Sequence, residues 1–354
     1  MKKTAALLLC VTLAAGALTA CGGNKTETAK TEDKKTQDTK EETTDEGGAK
    51  TGLSVITSLA KSTPASEEDG LAQTDSTVVA VLVDADGKIL DCKIDAAQTQ
   101  ISFSKEGKLV SDTAAEFKSK QELGADYGLG KASSIKKEWN EQADAFAEYA
   151  VGKTVDEVKG IAVSEEGVPT DEDLTSSVTI HVGDFVSGIE KAAANAKALG
   201  AGSSDKLGLG VTTQIANSKD ATADEEGLAE AYSMYSAITT DADGKITSCY
   251  IDASQGDVNF DTKGAITSDL KAEVKAKQEL GNDYGMKKAS SIGKEWFEQA
   301  DAFAEYAKGK TASEVGGIAV NDEGLASDED LISSVTVHVS PFISVVEKAA
   351  ENAK

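Results

Sequence analysis

Arginine is absent from this chain of 354 residues; histidine and tryptophan each appear twice, proline three times and cysteine four times. Without arginine there is no planar fork to clamp a carboxylate or phosphate, and no Arg/His constellation suited to a defined organic substrate is visible. Two histidines argue against a His-cluster metal enzyme, and four cysteines against a disulfide scaffold. Positive charge is scarce as well: 36 lysines face 61 acidic residues, for a formal net charge of −25. That balance excludes nucleic acid as a partner, because phosphates would go unneutralised, and it excludes a polybasic membrane-binding surface. Aromatic residues are 5% of the chain against 40% hydrophobic residues overall, so any core must be aliphatic and alanine-rich. At about 150 residues per domain, the length suggests two domains.

Long apolar runs are missing too, apart from Ala5 to Ala20, which is too short and too rich in small residues to span a bilayer permanently. Lys2 and Lys3 precede it, and it ends Leu18-Thr19-Ala20-Cys21-Gly22. This order resembles the lipobox of bacterial lipoproteins. The resemblance implies a signal peptide over 1–20, lipidation of the Cys21 thiol, and a chain held by acyl groups to the extracellular face of the cell membrane. Residues 22–50 carry no aromatic and almost no apolar side chain, so 21–50 reads as a lipidated cysteine followed by a disordered tether. Its coil dimension is roughly 30 Å and its stretched reach about 100 Å.

From Gly52 onward the chain repeats itself at an offset of 156, which becomes 157 after a one-residue insertion near Glu68. Lys120–Lys153 and Lys277–Lys310 differ at only six of 34 positions, a likeness too long to be a solenoid repeat, so each copy should be a complete domain. The expected layout is domain one over 51–199, a short flexible joint over 200–206, and domain two over 207–354. Positions that differ between the copies are not essential to any function both share.

Each copy reads alike. Ser76–Val83 is a near-continuous β-branched run, expected as a strand buried on both faces. Asp84-Ala85-Asp86-Gly87 then reads as a type I′ hairpin turn, leading into an alternating strand with Leu90, Cys92 and Ile94 on one face. Ile101–Phe103 suggests a further short strand. Ile135, Trp139, Ala143, Phe146 and Ala150 recur at helical spacing, predicting a helix from about Ser134 to Val151, and a last helix runs from Val182 to about Ala198. Strands first and helices after point to an α+β fold: two tandem homologous domains, each an antiparallel sheet packed with helices.

The Asp-x-Asp-Gly turns lack the later ligands of a calcium loop, so no metal site is expected. Cys92 and Cys249, at matching places, behave as small core hydrophobes. The glycine-rich stretch Gln121–Gly130, kept as Gln278–Lys287, is either a plain connection or a binding loop, with Tyr127 and Tyr284 as its candidate contacts. Asp173-Leu-Thr-Ser176-Ser177-Val178-Thr179-Ile-His181 returns as Asp330-Leu-Ile-Ser333-Ser334-Val335-Thr336-Val-His338 and holds both histidines of the chain. Hydroxyls just before a helix are either N-caps or groups that carry or contact a phosphate.

At this motif the chain resembles the FMN-binding domain family, found in flavin-carrying subunits of sodium-pumping and related oxidoreductases. Its signature, Asp-x-x-(Ser/Thr)-Gly-Ala-Thr, matches here at Asp, Ser and Thr, with Ser-Val in place of Gly-Ala. The lipobox, the tether and the tandem domains together resemble the flavinylated lipoproteins of Gram-positive extracellular electron transfer. The resemblance implies covalent FMN, two per chain, joined by a phosphoester to Thr179 and Thr336 by an FMN transferase. Ser176, Ser177, Ser333 and Ser334 would lie near the phosphate, with His181, His338, Tyr127 and Tyr284 as further contacts. It also implies electron flow from a membrane quinol-oxidising donor to extracellular acceptors such as ferric iron, a carrier with no catalytic residue of its own. A flavin-free binding or structural lipoprotein and a substrate-specific extracellular reductase remain as alternatives.

Overall fold

The protein is described from a computed structural model over residues 48–354; the expected signal peptide, the expected lipidation site Cys21 and nearly all of the expected tether lie outside the described residues. Each repeat opens with a three-stranded antiparallel meander. Repeat one has β1 (Lys50–Ser58), β2 (Gly70–Val83) and β3 (Ile89–Phe103); repeat two has β4 (Lys206–Gln214), β5 (Gly227–Thr240) and β6 (Ile246–Phe260). Helices follow the strands. They are α1 (Lys120–Leu123), α2 (Trp139–Ala150), α3 (Val155–Lys159), α4 (Glu172–Thr175) and α5 (Gly183–Ala194) in repeat one. Repeat two has α6 (Lys277–Leu280), α7 (Trp296–Ala307), α8 (Ala312–Gly316), α9 (Glu329–Ile332) and α10 (Ser340–Asn352). The α+β class is therefore as expected, with two antiparallel sheets packed with helices.

Why β2 is apolar on both faces follows from what covers each face. Val79, Val81 and Val83 join α2 and α5 in one core, while Val78, Ala80 and Leu82 meet Leu207, Leu209, Val211 and Tyr235 of the other sheet. The two sheets thus pack face to face, and the repeats share an aliphatic centre closed at one end by Phe103 stacked on Phe260, ring centroids 4.3 Å apart. Contacts across this junction are reciprocal. Thr57 bridges to Val274 and Phe117 to Thr213; the Ala65 N–H donates to the Gly264 carbonyl, and the Ala221 N–H to that of Gly107. Lys191 pairs with Glu279 at 2.8 Å, and Lys348 with Glu122 at 2.7 Å. Residue-for-residue exchange of this kind is the mark of a two-fold interface, here within a single chain.

Several local expectations change. The expected strand at Ser76–Val83 begins at Gly70, and the short strand at Ile101–Phe103 is the end of the 15-residue β3. A register shift at Leu82/Val83 pairs Val83 with Ile89, so Ile89 joins Cys92 and Ile94 on the helix-covered face and Leu90 turns to the other side. The hairpin turn is not type I′, because only its glycine has positive φ (Gly87, +79°). Instead the Asp84 carboxylate accepts N–H bonds from Asp86 and Lys88, at 3.0 and 2.8 Å. The helix expected from Ser134 begins only at Trp139, because Lys136 sits in the left-handed region (φ 60°) and halts it. The last helix of repeat one runs Gly183–Ala194, inside the expected Val182–Ala198. The joint does not hang free: Ala201 is buried, and its carbonyl accepts from the Ala49 N–H at 3.0 Å.

Gly52 and Gly208 let α5 and α10 lie on the sheets. A Cβ at either would stand 2.0 Å from a helix carbonyl, that of Ala192 or Ala349. No described helix is long and apolar enough to cross a membrane.

Candidate functional site

The Ser-Ser-Val-Thr segment is held from below and from one side. α4 opens at Asp171, whose carboxylate accepts from the Asp173 N–H at 3.0 Å and from the Tyr149 hydroxyl at 3.2 Å. In repeat two Asp328 does the same, at 2.9 Å to the Asp330 N–H and 2.7 Å to the Tyr306 hydroxyl. Burial, and then the neighbouring Asp328, raise the Tyr306 hydroxyl to about 12, so it stays a proton donor. Asp173 and Asp330 of the motif are themselves exposed. Leu174 and Val178 anchor the segment in the core, as do Leu331 and Val335. Ser177 and Ser334 close the turn by donating to the carbonyls of Leu174 and Leu331, at 3.2 and 3.1 Å. The valine of the Ser-Val pair is therefore a core residue in both repeats, buried at 178 and at 335.

Thr179 follows, half-buried. Its N–H and its hydroxyl both reach Oε1 of Gln142, at 2.8 and 3.2 Å; Thr336 reaches Gln299 at 2.8 and 3.3 Å. Gln142 and Gln299 are completely buried on α2 and α7. Their Nε2 groups donate to Ser133 Oγ and the Lys137 carbonyl (3.3 and 3.0 Å), and to Ser290 Oγ and the Lys294 carbonyl (3.2 and 3.3 Å). An open cleft of about 290 Å³ lies beside Thr179, lined by Leu129, Ala132, Ser133, Ser134 and Ile180. A lining that combines hydroxyls with aliphatic side chains suits an anionic group joined to an apolar ring.

The other expected contacts are placed as follows. Ser176 and Ser333 cap α4 and α9 and are exposed, and so are His181 and His338. Each histidine faces a tight turn of the preceding loop: His338 pairs with Leu325, and a Cβ on Gly167 would lie 3.2 Å from His181 Nδ1. Tyr127 does not line the cleft; Leu129, two residues on, does. The Tyr127 ring lies 4.6 Å from Lys120 Nζ, which is also 5.2 Å from the Trp139 ring. In repeat two the matching lysine, Lys277, is buried among three rings and hydrogen-bonds the hydroxyls of Tyr232 (3.1 Å) and Tyr284 (2.8 Å). Burial outweighs Glu230, Asp252 and Asp257 and lowers its ammonium to about 8. Trp139 and Trp296 are core residues, packed edge-on to Phe185 and Phe342.

Two buried carboxylates lie where each sheet meets a short helix. Asp95 accepts from the Ala96 and Gln121 N–H groups (2.7 and 3.1 Å), and Asp252 from those of Ala253 and Gln278 (2.8 and 2.9 Å). Desolvation dominates these bonds and raises Asp95 to about 6 and Asp252 to about 7.

Gln142 and Gln299 are the residues that sequence reasoning missed. Their signal was available: a glutamine on the apolar stripe of Trp139, Ala143 and Phe146, unchanged in both copies. A polar side chain on a core face needs partners there, and the threonine segment supplies them.

No protein-family model matches the chain, and no solved structure matches it. Among curated proteins it is similar to a chlorophenol reductase of Desulfitobacterium hafniense, 40% identical over 68 residues. The likeness covers 19% of this chain and 16% of that protein.

Proposed function

We propose that the chain is a membrane-anchored flavoprotein electron carrier, with FMN esterified through its phosphate to Thr179 and Thr336. The observation that carries this reading is the pair of half-buried threonine hydroxyls, each bonded to the equivalent buried glutamine of its own repeat, in the motif that resembles the FMN-binding family. The residues present fit such a group. Ser133 and Ser134 offer hydroxyls to a phosphate beside Thr179, and Leu129 and Ile180 offer apolar surface to a ring.

FMN, when bound, supplies one- and two-electron chemistry. The chain itself fixes the attachment oxygen, shields one side of it, and ties the surrounding loop to α2. Covalent attachment keeps the group from being lost outside the cell. The partners under this reading are an FMN transferase, a quinol-oxidising donor in the membrane that the lipid on Cys21 brings close, and extracellular acceptors. The partial likeness to a reductase is in keeping with a redox role and adds no substrate.

The test is covalent mass. The chain from Cys21 onward is expressed with an FMN transferase, denatured and weighed intact, with flavin fluorescence read in the same gel band. Two FMN additions are expected, one lost with Thr179→Ala and the other with Thr336→Ala. An unmodified mass beside an active transferase would overturn the reading and leave a flavin-free binding lipoprotein in its place.

A further inference from the structure

The threonine hydroxyl has one proton to donate, and in both repeats it is offered to the same kind of acceptor. Which end of the Gln142 amide faces Thr179 is decided by its neighbours. The Lys137 carbonyl only accepts and the Thr179 N–H only donates, so Nε2 must face the first and Oε1 the second. With its proton drawn to Oε1, the threonine oxygen keeps its lone pairs free of the glutamine. The same amide donates to Ser133 Oγ, leaving the serine proton free to donate elsewhere, and Ser133 lines the cleft. One buried side chain thus orients the oxygen, the adjacent wall hydroxyl and the backbone of two separate segments. All of these bonds recur at Gln299 with Thr336, Ser290 and Lys294.

We infer that Gln142 and Gln299 are positioning residues for phosphoester formation at Thr179 and Thr336. The inference rests on the flavin reading above. In the step concerned, the Thr179 oxygen forms a bond to the flavin-bearing phosphorus of a phosphoanhydride donor, a flavin dinucleotide. The P–O bond of the anhydride breaks, and the nucleotide monophosphate leaves. The threonine proton passes to a base of the transferase, because a carboxamide oxygen is far too weak a base to keep it. No electrons are exchanged. Gln142 therefore holds the nucleophile in line and takes no part in bond making, which places its effect on turnover rather than on donor binding.

The two repeats of one chain supply an internal control. In Gln142→Leu, FMN incorporation at Thr179, followed by peptide mass against time, is expected to slow about a hundredfold. Thr336 of the same molecules loads at its normal rate, and the donor concentration giving half-maximal rate is unchanged. Gln299→Leu should reverse the pattern. Gln142→Glu keeps an acceptor oxygen for the Thr179 N–H and hydroxyl but gives up both Nε2 donations, so Thr179 should load faster in it than in Gln142→Leu and more slowly than in the unsubstituted chain. In the unloaded chain, hydrogen exchange at the Thr179 amide should quicken in the leucine variant, a readout independent of any transferase.

Loading of Thr179 at the wild-type rate in Gln142→Leu would overturn the inference while Thr336 loading upheld the flavin reading. A leucine variant that fails to fold would lose both sites together, since the repeats share a core. Gln142→Glu then decides, and a fall at Thr179 alone as deep as a hundredfold would overturn the inference. If neither threonine loads in the unsubstituted chain, the flavin reading fails and takes the inference with it.

Discussion

Thr179 and Thr336 share nearly the same hydrogen bonds, yet the second strands near Tyr127 and Tyr284 have diverged. In repeat one Asp75 sits within the second strand, β2, salt-bridged to Lys61 at 3.0 Å and bonded by Gln73, and Lys120 is only half-buried. In repeat two the same place holds Tyr232. Its ring covers Lys277 and leaves that residue 4% exposed. A second divergence lies at the junction of the repeats. Lys93 borders an open cavity of about 290 Å³ in repeat one, whereas its counterpart Tyr250 is buried, with Lys197 Nζ 4.3 Å from its ring. The parts that hold the threonines are shared and the lysine environments are not, so the two halves differ in their electrostatics near the tyrosine loops.

The largest effect should come from the shared centre, where the comparison disappears. Phe260→Ala removes one ring of the Phe103 stack and is expected to cost about 3–5 kcal/mol. Because both sheets lean on that ring, calorimetry should show one transition moving down as a whole. Two separated transitions, with repeat one unmoved, would mean that the repeats are independent after all.

Next come the buried carboxylates. Both have folded values above the ordinary carboxylate range, so the folded chain binds more protons than the unfolded chain between about pH 4 and the folded value. Their contribution is therefore favourable at low pH and lost as pH rises, through about 6 for Asp95 and about 7 for Asp252. Asp252→Asn should flatten the decline in stability between pH 4 and 7 by a few kcal/mol, at about 1.4 kcal/mol per unit of separation. Asp95→Asn should flatten it less. Denaturant melts across this range check the order; equal effects would erase the difference between the repeats.

Lys277 works in the opposite direction. Its folded value, about 8, lies below the ordinary lysine value of 10.5, so stability should rise with pH from about 8 towards 10. Lys277→Met should abolish that rise, worth roughly 2–3 kcal/mol, while Lys120→Met leaves it in place. The smallest effect is at the start of the long helices. Lys136 adopts the left-handed conformation that Gly293 occupies in repeat two (φ 60° and 63°). Lys136→Gly trades about 1 kcal/mol of backbone strain against glycine's extra chain entropy and should stabilise by about 0.5 kcal/mol. Gly293→Ala should do the reverse, and thermal melts of the pair give the sign.

How much of this was legible beforehand depended on whether the signal was local. The doubly apolar Ser76–Val83 run announced a strand covered on both sides, and the helical spacing of Trp139, Phe146 and Ala150 announced their helix. What covers the second face of the strand was not legible, because β-branched runs look the same whether a helix or another sheet lies above them. The register shift that turns Leu90 away depends on how β2 and β3 pair, which alternation alone does not reveal. At the site, the threonines stood out through their motif, while Gln142 did not. Its threonine partner lies 37 residues downstream in sequence, and only folding brings the two within hydrogen-bonding distance. Lys277 was invisible for a similar reason, since it opens the short helix α6 and its burial is made by Tyr232 on β5, 45 residues earlier.

The short connection at 200–205 has a consequence for assembly. Two unlike halves made as separate chains would pair at random, and much of the population would carry two of one kind. Joined in a single polypeptide, every molecule holds one half of each kind, facing each other across the same sheets. Tyr232 and Asp75 can therefore differ without a mixture of products, so the chain can specialise its two ends while keeping one interface.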